Sequence, residues 1–457
     1  MSTTSSNSIL VDFPASLTSD QIQAFPNATS ITDPPLLTAP QIATAYNIPA
    51  SNGANVKVGI ISLGGGFSQS DLNMSMADLG LTTGNVTFVG VDGATNTYET
   101  NPANVAAYMG TIENTLDLVC VAGMVPSANI VLYKGLNSGV YFNANANAAN
   151  SLNSNSSFGN AIQRAVDDNC DVITISWGIY EQRTIANVVS YCGNFLAAPL
   201  ANAAAKNISV FVASGDYGSA ATSNAIIGMS VDYPASNPNV TGVGGTYLSL
   251  TGSNTRSSET VYNNSEPGLS NVGGSGGVSS ITSLPTYQAN LTYKSYPGNV
   301  VSTLTTRGVP DISAAMNAYG YWLGNTVSGA SGTSASAPIM AGMVARFISL
   351  NGGRRPIQPL NKLFYNNLNS FYDITTGNNA SLLPTGYAST VGWDAVTGWG
   401  SQANATQTYQ SVSSGGVKVK TDSGWTPVQN ISVKTDSGWI SANKVWIKTD
   451  SGWTQVF

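Results

Sequence analysis

Ser331-Gly332-Thr333-Ser334-Ala335-Ser336-Ala337-Pro338 is a turn of small residues that runs into an alanine- and methionine-rich stretch, Ala335 to Ile348. The composition of that stretch predicts a helix, so the turn places a serine hydroxyl beside unsatisfied backbone N–H groups and the positive end of a helix dipole. A nucleophile is useful there, although the same residues also suit an ordinary helix N-cap. The 457 residues include no histidine. If Ser334 is a nucleophile, its proton must pass to some other base, and a carboxylate is the obvious substitute.

Thr111-Ile112-Glu113-Asn114-Thr115-Leu116-Asp117 offers a candidate for that base. Glu113 and Asp117 stand one helical turn apart, so their side chains share a face. Like charges at this spacing repel, which raises one carboxyl's pKa and lets the pair hold one proton while accepting another. An isolated acidic pair is usually a solvated helix face, but Leu116, Leu118, Val119 and Val121 make these flanks apolar. A third carboxyl, Asp216, lies in Ala213-Ser214-Gly215-Asp216-Tyr217-Gly218 after an apolar run. It reads either as a turn residue or, if protonated, as a donor to a developing oxyanion.

The segments between these motifs set the fold class. Apolar β-branched runs at Val56–Ile61, Ile130–Tyr133, Val172–Ser176 and Ser209–Val212 alternate with alanine-rich segments of helical length. Those segments are Ala106–Gly123, Gly159–Asp168 and Ile185–Lys206. Strands alternating with helices predict an α/β fold, with a mostly parallel sheet covered on both faces. Functional groups of such sheets collect beyond the carboxyl ends of the strands, where Ser176-Trp177-Gly178 and Gly215-Asp216 both fall.

Charged residues make up 9% of the chain and the net charge is −6. Nucleic acid and anionic membrane surfaces both call for clustered cations, so neither is expected as the main partner. No apolar run is long enough to span a bilayer. Cys120, Cys170 and Cys192 lack metal-ligand spacing and read as small core residues. Residues 1–35 are expected to form an arm or leader with a short helical possibility near Leu17–Phe25, and Asn143–Ser157 an inserted loop. After a linker at 411–416, residues 417–457 carry three copies of Lys-Thr-Asp-Ser-Gly-Trp with equally spaced Trp425, Trp439 and Trp453. Each copy reads as a small β-hairpin, with Gly424, Gly438 and Gly452 supplying positive φ in the turn.

Taken together, Gly-Thr-Ser at Ser334, Glu-x-x-x-Asp at Glu113 and Asp117, and Ser-Gly-Asp at Asp216 resemble the sedolisin, or serine-carboxyl peptidase, family. The resemblance runs from about Leu36 to Thr406 and takes in Gly64-Gly65-Gly66, Gly244-Gly245-Thr246, Gly273–Ser279 and Arg307–Asp311. It implies a subtilisin-like fold over residues 36–410 and an acid-acting endopeptidase with a peptide or protein substrate. Ser334 would be the nucleophile, Glu113 the base, Asp117 its orienting partner and Asp216 the oxyanion acid. It further implies one structural calcium ion, held by Asp373 and Asp394 with the carbonyls of Ile374, Thr390 and Gly392. Two departures stand out. Ser62 occupies a position where several family members carry an acid that extends the carboxyl network, and only about 35 residues precede the matching region, where a long prosegment is usual. The tail repeats more weakly resemble C-terminal repeats of tailed-phage structural proteins, which implies an extracellular or virion-associated location and a surface or virion partner. The competing expectation is a catalytically inactive structural or attachment module of the same fold.

Overall fold

The computed structural model describes residues 27–136, 157–181, 192–222, 228–264 and 270–413, together with short strands in both termini and at 140–143. At its centre is an eight-stranded sheet. Its strands are β1 (Lys57–Ser62), β2 (Thr87–Gly90), β3 (Asn129–Lys134), β4 (Val172–Ile175), β5 (Ser209–Ala213), β6 (Thr241–Leu250), β7 (Arg256–Val261) and β8 (Ile312–Ala315). The spatial order is β7-β6-β5-β4-β1-β3-β2, with β8 also paired to β6. All pairings are parallel except β6 with β7. The order reverses around β1, since β3 pairs on one side of it and β4 on the other, and this opens a crevice at the strands' carboxyl ends.

The strands read as near-continuous apolar runs because both faces are covered. Val58 and Ile60 of β1 enter one core with Leu132, Phe211, Leu116 and Ile339, whereas Ile61 enters a second core with Ile173, Val210, Phe158 and Leu200. The first core lies under α1 (Val105–Met124) and α2 (Thr333–Leu350). Helices Ser157–Asp167 and Ala197–Ala205 cover the second. Three layers result, as the sequence pattern predicts. An antiparallel hairpin, β9 (Tyr319–Leu323) and β10 (Thr326–Ala330), leads directly into the Ser331–Pro338 turn.

Several local expectations are refined. The helix anticipated over Ile185–Lys206 is described as a π-helical turn at Cys192–Leu196 followed by helix Ala197–Ala205. Near Leu17–Phe25 the described residues form a strand, Ile22–Ala24, whose backbone groups pair with Ser328–Ala330 of β10; tertiary pairing overrides the weak local helix pattern. Ser8–Val11 likewise pairs with Val140–Asn143. Cys120 and Cys170 are buried free thiols. The side chain of Cys192 and most of the Asn143–Ser157 loop lie outside the described residues. In the tail each repeat forms one antiparallel hairpin, Lys418–Thr421 with Gly424–Pro427 being the first. Gly424, Gly438 and Gly452 open the second strands opposite Thr421, Thr435 and Thr449, so they belong to the ladder, and the residues between lie outside the described set.

Candidate active site

Ser334 occupies the second position of α2, after Gly332 as N-cap. Pro338 sits four residues further on and has no N–H, so the Ser334 carbonyl receives no helical hydrogen bond from it. Ser176, just beyond β4, fills part of that gap: its hydroxyl lies 3.5 Å from the Ser334 carbonyl oxygen and 2.8 Å from Asp117 Oδ1. One buried hydroxyl therefore ties the orienting carboxyl candidate on α1 to the nucleophile candidate on α2. The helices run side by side in the same sense, for Arg346 Nε donates to the Met124 carbonyl at 2.7 Å and Gly342 faces Met124. Glu113, one turn before Asp117, thus lies toward the end of α2 where Ser334 begins the helix.

Glu113, Asp117 and Ser334 are all fully buried. Burial pushes the Asp117 carboxyl well above its ordinary value, while the Ser176 hydroxyl acts in the opposite direction. Asp117 Oδ2 and Ser334 Oγ have no hydrogen-bond partner among the described residues. A direct Ser334–Glu113 hydrogen bond is therefore not formed here, as often happens when no substrate completes a catalytic site. What the structure does supply is a desolvated hydroxyl with both its donor and acceptor capacity open.

The turn after β1 fixes the front of α1. Asn114 Nδ2 donates to the carbonyls of Gly64 at 2.9 Å and Gly66 at 3.1 Å. Backbone meets backbone so closely that a Cβ on Gly110 would stand 2.4 Å from the Gly64 carbonyl carbon. Lys134, buried at the end of β3, donates to the carbonyls of Gly65 and Thr95 from the other side. Ser62 turns its hydroxyl into this same loop, donating to the Gly64 carbonyl at 3.1 Å. At the position where several family members carry an acid, the Ser62 proton therefore goes to the backbone.

Asp216 follows β5 and reaches the start of α2. Its Oδ1 accepts the Thr333 N–H at 2.7 Å and the Thr333 hydroxyl at 2.8 Å. Gly215 adopts φ of 106°, and a Cβ there would lie 2.5 Å from Asp232 Oδ2. Asp232 is a site residue that the motif reading did not single out. Burial, then the Asp216 and Glu181 charges, push its carboxyl well above the ordinary range. Glu181 is itself buried, and its carboxyl accepts from Ser236, Ser279 and the Ser280 N–H. A row of three buried carboxyls, Glu181, Asp232 and Asp216, leads to the N-terminus of α2.

The segments that carry the predicted calcium ligands are linked by hydrogen bonds. The Gly392 N–H donates to Asp373 Oδ2 at 2.8 Å, and the Thr390 N–H to Asp394 Oδ2 at 2.9 Å. The Ser389 hydroxyl contacts both the Ile374 carbonyl and Asp394 Oδ2, so one proton stands between two acceptors. Burial raises the Asp394 carboxyl to about 6. The donor set is all oxygen, and among the described residues no group of three or more His, Cys, Asp or Glu side chains offers a softer site. Crowded oxygen acceptors of this kind fit a hard cation.

A parallel sheet with a serine at a helix N-terminus and carboxyls on the neighbouring helix defines a subtilisin-like serine-carboxyl arrangement. The chain belongs to the subtilase family, whose model matches residues 100–400. Within it the relatives are of the sedolisin type. The chain is 35% identical to kumamolisin of Bacillus sp. (strain MN-32) over 383 residues, covering 80% of this chain and 62% of that protein. It is 30% identical to sedolisin of Pseudomonas sp. (strain 101), covering 79% of this chain and 58% of the relative. Among solved structures, Pseudomonas sedolisin, a serine-carboxyl proteinase complexed with two molecules of pseudo-iodotyrostatin, superposes with a TM-score of 0.66 at 27% identity. That match covers 82% of this chain and 97% of the solved one. The chain therefore spans about three-fifths of the length of these curated relatives.

Proposed function

We propose that the chain is an acid-acting serine endopeptidase that cleaves peptide bonds through an acyl-enzyme. The observation that carries this reading is the Ser176 hydroxyl shared between Asp117 and the backbone of Ser334, which brings a buried carboxyl pair to a buried, unpartnered serine. Ser334 Oγ attacks the scissile carbonyl carbon as Glu113 takes its proton; the C–N bond then breaks as Glu113 returns that proton to the leaving amine. Water, deprotonated by the same carboxylate, releases the acyl group. Asp117 keeps Glu113 oriented. Asp216, whose Oδ1 accepts from Thr333 at the start of α2, offers its carboxyl proton to the oxyanion.

The chemistry fixes the pH dependence. Glu113 has to be ionised and Asp216 protonated, so activity is bell-shaped and is lost toward neutral pH. Cleavage of casein and of a fluorogenic peptide, measured from pH 3 to 7, tests this. Ser334→Ala and Glu113→Gln are each expected to lower kcat by about a thousandfold or more. Absence of acid-dependent cleavage in the unmodified protein would instead support an inactive structural module.

We also propose that Asp373, Asp394 and the carbonyls of Ile374, Thr390 and Gly392 hold one structural calcium ion. When bound, the ion supplies positive charge to the buried Asp394 carboxylate. The Thr390 and Gly392 amides already position the two carboxylates.

A further inference from the structure

Tyr321 is fully buried, and its hydroxyl has no hydrogen-bond partner among the described residues. Buried hydroxyls are nearly always satisfied, and leaving one open is unfavourable. Its position makes the exception informative. Tyr319 and Tyr321 lie on one face of β9, two residues apart, while Trp322, the next residue, turns its indole to Asp78 at 2.8 Å. Tyr319 lies within electrostatic reach of Cys120, and Tyr321 of Tyr108 and Glu113. Cys120 and Glu113 are two helical turns apart on one side of α1, so β9 runs along this helix with Tyr321 at the level of Glu113.

We propose that Tyr321 is a positioning residue for Glu113, its phenol O–H donating to the Glu113 carboxylate directly or through one buried water. This rests on the reading of Glu113 as the base. Ser62 has committed its proton to the Gly64 carbonyl, so support for Glu113 comes from the opposite side of α1. The groups facing Glu113 are Tyr108, Asp117 and Cys120 from its own helix, Ser334 from α2 and Tyr321 from β9. Ser334 and Tyr321 are both neutral hydroxyls without a partner among the described residues, but Ser334 is the group that gives up its proton, which leaves the Tyr321 phenol as the donor that can hold Glu113 in place; burial, Tyr108 and Glu113 all push its own ionisation far up.

A donor to the ionised form holds a carboxylate's pKa down, and removing it raises that pKa. In Tyr321→Phe the ring still fills its site, so the fold is retained. The acid limb of the kcat profile is expected to move up by about one pH unit, with kcat at the optimum falling about tenfold and KM changing less than twofold. Thermal stability is expected to change little, since the ring still fills its site and only the hydroxyl is lost. An unshifted acid limb overturns the proposal, and so does an activity loss that merely follows a lower Tm. Glu113→Gln, run in parallel, separates the two ideas. If that variant stays active, the assignment of the base itself is wrong; if it is inactive while Tyr321→Phe behaves as the parent, Tyr321 alone has been misassigned.

Discussion

Asp216 stands between two opposing influences. The Thr333 N–H and hydroxyl both donate to its Oδ1 and favour the ionised form, whereas Asp232, packed against Gly215, places a second carboxyl beside it and disfavours a second charge. An oxyanion donor needs the second influence to prevail through the working range. In Asp232→Asn there is no second carboxyl with which to hold one proton between the two, so Asp216 is expected to lose its proton earlier. The alkaline limb of the kcat profile should move down by about half to one pH unit, with the acid limb unchanged; a fixed alkaline limb in titrated kinetics would show that Asp232 does not act on Asp216. Ser334, Glu113, Asp117 and Asp216 were legible in the sequence because each sits in a short motif with its own local chemistry. Asp232 was not, since Val231-Asp232-Tyr233-Pro234 looks like any turn entry until folding brings it against Gly215. Tyr321 was hidden for the same reason, as a strand aromatic is ordinarily core.

At the scale of elements, the four apolar runs became β1, β3, β4 and β5 because buried parallel strands are marked by composition, whereas β2, β6, β7 and β8 were not read from the sequence. Boundaries moved by one or two residues, as at Val105–Met124 against the expected Ala106–Gly123. What composition could not reveal was pairing partners: Ile22–Ala24 becomes a strand because β10 offers it an edge. The C-terminal loops illustrate a different limit. Asp373 and Asp394 are separated along the chain by two strands' worth of turns, and only the amides of Thr390 and Gly392 and the Ser389 hydroxyl draw them together. If these loops close on calcium, chelation should lower Tm, and excess calcium should restore it. A ligand at about a hundred times its Kd adds about 2.7 kcal/mol to the folded state. Asp373 is exposed and can be altered with little risk to folding, so Asp373→Asn should flatten the dependence of Tm on calcium. A scanning-calorimetry Tm indifferent to both chelator and calcium would rule the site out.

Across the whole molecule, the buried carboxyls couple stability to pH in a direction opposite to that of most proteins. Asp117, Asp232 and Glu181 are each raised, with burial the largest cause, and for Glu181 the Ser236, Ser279 and Ser280 hydrogen bonds only partly offset it. A carboxyl whose pKa is higher in the folded state binds more protons there than in the unfolded chain. Its contribution is fully present below the ordinary carboxylate range and is lost as pH rises through the folded value. Each such group costs up to about 1.4 kcal/mol for every pH unit between its unfolded and folded pKa. Asp33 and Glu99 are lowered by backbone hydrogen bonds and act the other way, but both lie at the surface within reach of solvent and their effect is screened. The buried set therefore dominates. Urea unfolding at a series of pH values should give the greatest stability at about pH 4 or below, declining toward neutral, and the decline should be shallower in Asp232→Asn, which lacks one of these titrating groups. Stability that instead rises steadily from pH 4 to 7 would mean that these carboxyls are ionised in the folded protein, against the burial that raises them.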